Sequence, residues 1–436
     1  MNRNQRYFSL VVISLMMIVL NMDANVMSPT LVMIEKEFGI GDAAIGSMMG
    51  RFTIIGAVVS LFWGYFADKA ARKVLFIAAI LIGELPCTLT AFAPNYPVFF
   101  ALRILSGVGL GAAYPLLYSI VGDMFDERER PSAVAIVTVA VSVGTIAGTL
   151  VGGYVGGNGD WRTPFIVASA PNYLLVLVYW LLTPEPKKAA SEEATRDLVA
   201  AGLVYPKRLH LADYAGIFKS RTNLYLFLQG VAGSLPWGSF FFINEYLNRV
   251  KGLSVANATT VFLVFGVGML VGNIVGGQVG GRIFRRAPRV LPAFCAATTL
   301  LGAAMVICIV LVVPASVPEL ALMGFLATAL AGMTGPNITA MILDVNSPEN
   351  RGAVFSIFNL TDSLGQGFGR FVAGSLSGFF GLTAALAICS GFWVVCAALI
   401  VAVIFTFTAD MARHHEHLRG VAREMRAAAA AQGKAP

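Results

Sequence analysis

The chain has 436 residues, 57% hydrophobic and 13% charged, with a formal charge of +7 and a mean hydropathy of +0.74. Soluble proteins carry about 25% charged residues, so the balance excludes an ordinary water-soluble domain and predicts a chain lying mostly in hydrocarbon. The basic excess falls in short turns between apolar runs, which points to an anionic membrane leaflet and away from nucleic acid. A membrane-crossing helix needs about 20 mainly apolar residues. On that rule twelve are predicted, at 8–33, 44–67, 73–93, 97–122, 131–156, 163–183, 222–247, 257–281, 289–314, 317–343, 352–380 and 382–408. The first run exceeds a signal-peptide core of about 7–15 residues and is expected to be retained as a helix.

Residues 184–221 interrupt the series with Pro184, Pro186, Lys187, Lys188, Glu192, Glu193, Arg196, Lys207 and Arg208, the composition of a solvated linker. The expected organisation is therefore an N-terminal six-helix bundle over 1–183, a cytoplasmic linker over 184–221, a C-terminal six-helix bundle over 222–408 and a basic cytoplasmic tail over 409–436. With the N-terminus inside, 24 of the 31 lysines and arginines fall on the cytoplasmic side and four (Lys36, Arg162, Arg249, Lys251) outside. That contrast sets both termini in the cytoplasm. The remaining three, Arg51, Arg103 and Arg370, lie inside predicted spans. The five cysteines all lie in apolar runs without metal-ligand spacing and read as small core residues.

Two internal echoes point to a duplicated chain. A shift of 213 positions carries Gly64, Lys69, Arg72 and Lys73 onto Gly277, Arg282, Arg285 and Arg286. A shift of 221 carries Asp123 and Arg130 onto Asp344 and Arg351, Gly111 onto Gly332, Pro115 onto Pro336, Gly144 onto Gly365 and Gly148 onto Gly369. Glycines four apart let helix backbones approach closely, so packing is their expected role.

The turn Gly64-x3-Asp68-Lys69-x2-Arg72-Lys73 resembles the loop 2–3 signature of the major facilitator superfamily, with Ala71 where a glycine is usual. Arg103-x3-Gly107-x-Gly109 resembles its span-four signature. The resemblance covers essentially the whole chain and implies two pseudo-symmetric six-helix bundles that transport a solute by alternating access. It implies a conformational-gating role for Gly64, Asp68, Lys69, Arg72 and Lys73, with Asp68 at the aspartate that stabilises the outward-open state, and for the repeated pairs Asp123–Arg130 and Asp344–Arg351. Asn21-Met22-Asp23, then Phe38-Gly39, is similar to the opening of Spinster-like transporters, whose substrates are lipid-like amphiphiles. Ala24 and Leu110 depart from that pattern, where an arginine and a glutamate are common. Gly144, Gly148, Gly152 and Gly153 are similar to the antiporter motif without its Gly-Pro step.

A charge at bilayer depth costs roughly 2.5–3.5 kcal/mol on insertion scales, so it faces a partner or a watery cavity. Seven such residues stand out: Asp23, Arg51, Glu84, Arg103, Glu245, Asp362 and Arg370. Asp23 and Arg51 fall at similar depth on adjacent spans, which makes Asp23 the expected proton switch and Arg51 its conditional partner; a permanent structural pair is the alternative. Arg103 is expected to serve proton transfer or to pair with Asp23 or Glu84. Glu84 joins this proton-coupling set, whereas Glu245 is expected at a solvent-reached outer rim. Asn359, Asp362, Gln366 and Arg370 share one helical face, which predicts a cavity-lining stripe for a zwitterionic or charged substrate or an interhelical network. Trp237, in a span loosened by Gly233, Pro236 and Gly238, is a further substrate-binding candidate, with Asn337 and Tyr114 as weaker ones.

No Walker loop is present, and Gly107-Val108-Gly109 lies within a membrane span, so neither ATP drive nor a dinucleotide fold is expected. The histidine trio of the tail reads as a solvated run, and no metal or cofactor is expected. The reading is an all-α, twelve-span membrane protein, not an enzyme. It is expected in the plasma membrane as a monomer whose partners are a small-molecule substrate, protons and membrane lipids. Export of an amphiphilic, lipid-like or drug-like solute by proton antiport is the first expectation. Proton-coupled uptake of a small organic anion on Arg51, Arg103 and Arg370 is the alternative within transport, and a non-transporting membrane sensor the alternative outside it.

Overall fold

The computed structural model describes residues 3–67, 71–125, 130–184, 217–346 and 351–431. Among these every regular element is helical. The first bundle holds α1 (Arg3–Val26), α2 (Leu31–Phe38), α3 (Asp42–Ala67), α4 (Arg72–Thr90), α5 (Tyr96–Met124), α6 (Arg130–Leu150) and α7 (Thr163–Leu182). The second holds α8 (Arg221–Ser239), α9 (Val255–Arg286), α10 (Val290–Leu311), α11 (Val317–Gly332), α12 (Thr334–Val345) and α13 (Arg351–Ala431). A 3₁₀ turn joins α1 to α2 as one crossing, and α11 runs into α12 as another. A wide π turn, Val151–Val155, extends α6, and short turns to Val250 extend α8.

Ten helical stretches are long and apolar enough to cross a membrane, and Val139–Val155 adds a shorter apolar one. One of the ten, Ile357–His414, has 58 residues. It holds two crossings, because Gly381 (φ 80°) takes a left-handed conformation that reverses the chain there. Twelve crossings result. Most of the expected linker, 185–216, lies outside the described residues, as do Asp68 and Lys69.

The duplication visible in the sequence reappears as matched contacts. Gly144 and Gly148 of α6 lie against the backbone at Ile18 and Met22 of α1, so close that a Cβ would overlap their carbonyl oxygens. Their counterparts Gly365 and Gly369 of α13 lie in the same way against Val231 and Leu235 of α8. Val231 and Leu235 are themselves Ile18 and Met22 shifted by 213. Gly111 packs on Gly56, and Gly332 packs on Met269, again displaced by 221 and 213. Without a hydrophobic drive between helices in lipid, such close backbone contact supplies the dispersion energy that holds the bundles together.

Two ties fix which helix ends share a face. Arg6 at the start of α1 donates to the carbonyl of Met124 at the end of α5 (3.3 Å). Asp410 near the end of α13 accepts from the Ser220 hydroxyl (2.9 Å) and the Thr222 amide (3.0 Å), capping the start of α8. We call this the terminal face and the opposite one the distal face.

The halves meet towards the distal face. Gly46 and Gly50 of α3 approach Gly374 and Gly367 of α13 at backbone distance, with a Cβ at Gly50 reaching 2.8 Å from the Gly367 carbonyl. The Ser28 hydroxyl donates to the carbonyl of Phe241 (2.7 Å), and Tyr154 and Thr260 share a hydroxyl bond (2.9 Å).

Candidate functional site

Below that seam lies a cavity of about 390 Å³ between the bundles. The first bundle contributes Asn25, Ser28, Thr145 and Thr149; the second contributes Ser234, Asp362, Gln366 and Arg370 with an aromatic wall of Trp237, Phe240, Phe241, Phe262 and Phe265. Pro236 lies in the last turn of α8 and a 3₁₀ turn follows at Phe240–Phe242, with Phe240 and Phe241 lining the cavity. Trp237 stands edge-on to Phe240 and to Trp393, each with centroids 5.3 Å apart, so the wall is braced from behind.

Asp362 and Arg370 lie on one face of α13, two turns and about 12 Å apart at 1.5 Å per residue. They do not pair with each other. Asp362 accepts from the Ser234 hydroxyl and from Gln366 Nε2 (3.0 Å). Arg370 donates to the Thr53 hydroxyl and lies 5.4 Å over the Phe241 ring, and its buried Nε has no hydrogen-bond partner. Among the described residues no carboxylate pairs with it. Each end of the cavity thus offers a separate charge, with an apolar surface between.

A second polar group lies within the first bundle. Arg103 Nη1 of α5 donates to Asp23 Oδ1 of α1 at 2.6 Å, and the Ser106 hydroxyl donates to Oδ2 at 2.5 Å. The two charged side chains are 0% and 3% exposed. The guanidinium is sandwiched between the rings of Phe52 (5.2 Å) and Phe165 (5.4 Å). Glu84 of α4 is buried alongside; Asn172 of α7 donates to its Oε1, while its Oε2 has no partner. Carboxylate oxygens of Asp23 and Glu84 and the Cys87 sulfur lie within 4.8 Å of one another.

Several expectations need correction. Arg51 is not the partner of Asp23: it is exposed, with its guanidinium 5.6 Å over the Phe100 ring, and Arg103 fills the place beside Asp23. Glu245 is not reached by solvent but buried, because Arg249 one turn on folds across it. Tyr114 donates to Asn21 Oδ1 (2.9 Å) inside the first bundle, and Asn337 donates to the carbonyls of Gly276 (3.0 Å) and Met333 (2.8 Å) between helices. Neither lines the cavity described, and Asn359 is exposed on α13 away from it.

Of the gating residues, Lys73 binds the carbonyl of Trp180 (2.8 Å), clamping α4 to the end of α7, and Arg72 is buried at the start of α4. Asp344 is half-buried near the end of α12. Gly64 lies within α3, and the side chains of Asp123, Arg130 and Arg351 lie outside the described residues. Sequence reasoning passed over Ser106, Thr53 and Asn172; only Ser106, three residues from Arg103 on the same helix face, carried a local signal.

Comparison with known proteins agrees with this architecture. A solved bacterial homologue of the human lysosomal transporter Spinster, titled inward-facing and unoccupied, superposes with a TM-score of 0.82 at 19% identity, over 94% of this chain and 99% of that one. A D-xylose–proton symporter superposes with a TM-score of 0.71 at 17% identity, over 90% and 97%. In sequence, a sphingosine-1-phosphate transporter of Danio rerio is 22% identical over 67% of this chain and 60% of its own length. A D-galactonate transporter of Escherichia coli O6:H1 is 25% identical over 61% and 66%, and a gallate transporter of Pseudomonas putida 26% over 53% and 56%. The chain thus spans about three fifths of the length of these relatives. The family model of the Major Facilitator Superfamily matches residues 13–317 and 292–430, nearly the whole chain, and the protein belongs to that superfamily.

Proposed function

We propose that the protein is a secondary transporter that moves a small amphiphilic solute bearing an acidic head by alternating access, driven by protons. The observation that carries this reading is Arg370: a half-buried guanidinium lining a cavity, with a partnerless Nε and, among the described residues, no carboxylate bound to it. A buried cation without a counter-charge is costly, and an incoming carboxylate or phosphate would supply one. Asp362 at the other end would take an ammonium or hydroxyl group of the same solute, and the aromatic wall its apolar body. A volume of about 390 Å³ suits a small organic acid or the head and first carbons of a lipid. The named cargoes of the relatives, sphingosine-1-phosphate, D-galactonate and gallate, each carry a phosphate or a carboxylate.

Protons would be exchanged at Asp23, Arg103 and Glu84. Protonating Asp23 weakens its hold on Arg103, and Glu84, which brings a carboxylate oxygen within 4.8 Å of one of Asp23, would receive the proton or the released guanidinium. Because Asp23 lies two residues from the cavity-lining Asn25 on α1, a change in the pair is felt at the wall of the site. Both termini would face the cytoplasm, with antiport the expected direction of coupling in a plasma membrane. A single chain builds the whole cavity, which suits action as a monomer.

The test is flux in proteoliposomes loaded with amphiphilic acids. Wild-type protein should accumulate substrate against a proton gradient, whereas Asp23→Asn should retain counterflow exchange and lose the response to the gradient. Gradient-driven flux surviving in Asp23→Asn would remove the proton assignment. Affinity for acidic and neutral analogues that is equal, and indifferent to Arg370→Ala, would remove the substrate assignment.

A further inference from the structure

The seam that closes the distal face is built around too much negative charge. Arg249, on the π turn Tyr246–Val250 that ends the α8 crossing, reaches across to the first bundle. Its Nη1 donates to Asp42 Oδ1 (2.8 Å) and Glu35 Oε2 (3.3 Å) and also holds Glu245 of its own half. The Ser377 hydroxyl of α13 donates to the second oxygen of Asp42. Three carboxylates therefore converge on one guanidinium, with oxygens of all three acids within 4.8 Å of one another. Their side chains are 8%, 9% and 0% exposed for Glu35, Asp42 and Glu245. Glu35 Oε1 and Glu245 Oε2 are buried without any hydrogen-bond partner.

Among the described residues no other charge relieves this excess. On α2, Lys36 is exposed, and Glu37 is taken by Arg162 (2.6 Å). Lys251 donates to the carbonyl of Val313 (2.6 Å), and Arg51 of α3 lies over Phe100. Arg370, two turns before Ser377, points to Thr53. The hydroxyls of Tyr96 and Tyr246 donate to the carbonyls of Ala44 (2.9 Å) and Val310 (2.6 Å). Fully ionised, the group would bury a surplus of two negative charges beside a guanidinium that is itself 47% exposed and cannot offset all three.

We propose that this seam is a proton-binding latch: Glu35, Asp42 and Glu245 share at least one proton when the distal face closes around Arg249 and release it when the face opens. The partnerless oxygens of Glu35 and Glu245 are where the shared proton resides, as an O–H bridging neighbouring carboxyls. Opening separates Glu35 and Asp42 from Glu245 and Arg249, returns the acids to water and ionises them. The closed state holds more protons than the open one, so acid at the distal face favours closure and base favours opening. The latch is distinct from the Asp23–Arg103 group. It acts on the conformational equilibrium whether or not that group couples protons to transport.

The test uses the full chain in nanodiscs with spin labels on Pro94→Cys and Ala315→Cys, exposed distal positions in the two halves, and the unsubstituted chain as a control for labelling of native cysteines. Between about pH 5 and about pH 9 the closed-to-open ratio should fall, by up to about tenfold per pH unit for each proton released. Glu245→Gln and Glu35→Gln, which mimic the protonated acids, should keep the seam closed and flatten the dependence. Should either fail to fold, Asp42→Asn supplies the same comparison. Asp23→Asn should leave the dependence intact, which separates the latch from the central proton site. A distance distribution that does not respond to pH would overturn the proposal. So would a response that survives the latch substitutions in the Asp23→Asn background, or one that vanishes in Asp23→Asn alone.

Discussion

The two bundles share a packing skeleton and divide the chemistry. The glycine contacts of α1 with α6 recur between α8 and α13, residue for residue, under the shifts of 213 and 221. The polar sites do not recur. Asp23 maps onto Pro236 and Arg103 onto Gly324, whose missing side chain leaves room for the Phe265 ring. In the opposite direction, Asp362 maps onto Val141 and Arg370 onto Thr149. The first bundle encloses an ion pair whose charges neutralise each other, although Arg103 Nε, like Arg370 Nε, has no hydrogen-bond partner; the second presents two ions to a cavity. Backbone contact is tied to the packing of each bundle and is kept in both copies. Charge is not tied to that packing, and the two copies carry it at different positions.

The largest expected effects would break this contrast outright. Removing one partner of a fully buried pair strands the other, at a cost of about 3–5 kcal/mol. Arg103→Ala should therefore destabilise the purified protein severely, read as a large drop in its thermal unfolding temperature. Arg370→Ala should leave that temperature nearly unchanged, because Thr53 loses only one hydrogen bond. Equal destabilisation by the two variants would mean that Arg370 is structural and the halves are not divided as described.

Ligand binding sharpens the same contrast. A charged hydrogen bond contributes about 1.5–3 kcal/mol, so Arg370→Ala should weaken an amphiphilic acid by roughly ten- to a hundredfold. Arg370→Lys should recover only part, since an ammonium lacks the flat two-pronged donor. Isothermal titration with an acid and its amide would show the loss for the acid alone. The skeleton, by comparison, should respond symmetrically. Gly148→Ala and Gly369→Ala each force a methyl into a neighbouring backbone, at about 1–3 kcal/mol apiece. Unequal losses in unfolding temperature would show that one repeat carries the load.

Much of this was legible in the sequence because composition and period determine it. Apolar runs fix the spans, and the stripe Asp362–Gln366–Arg370 follows from steps of four on one helix. The sequence left Asp23 with two possible partners, Arg51 and Arg103, because depth alone does not set the direction in which a helix faces. Arg51 and Arg103 both lie near enough in height, but only α5 turns its arginine towards α1. The distal seam was illegible for a different reason. Arg249 appeared as one outer positive charge, and its role exists only when the halves meet there, which no periodicity within a single helix records. Gly46, Gly50, Gly367 and Gly374 had the same anonymity among the 45 glycines of the chain.

The smallest expected effect concerns a residue that its chemistry singled out and its surroundings reassign. Asn337 is an amide beside a proline in a membrane span, which in sequence suggests a cavity. In the fold its Nδ2 bridges the carbonyls of Gly276 and Met333, and its side chain fills the space left by Gly280. An amide in hydrocarbon needs only nearby carbonyls, and two helices supply them here. Asn337→Ala should accordingly leave substrate affinity within a factor of about two while lowering stability by about 1 kcal/mol, the scale of interhelical hydrogen bonds in membranes. A titration showing a tenfold weaker affinity with unchanged unfolding would place Asn337 back at the site and extend the binding surface along α12, beyond the charges of α13.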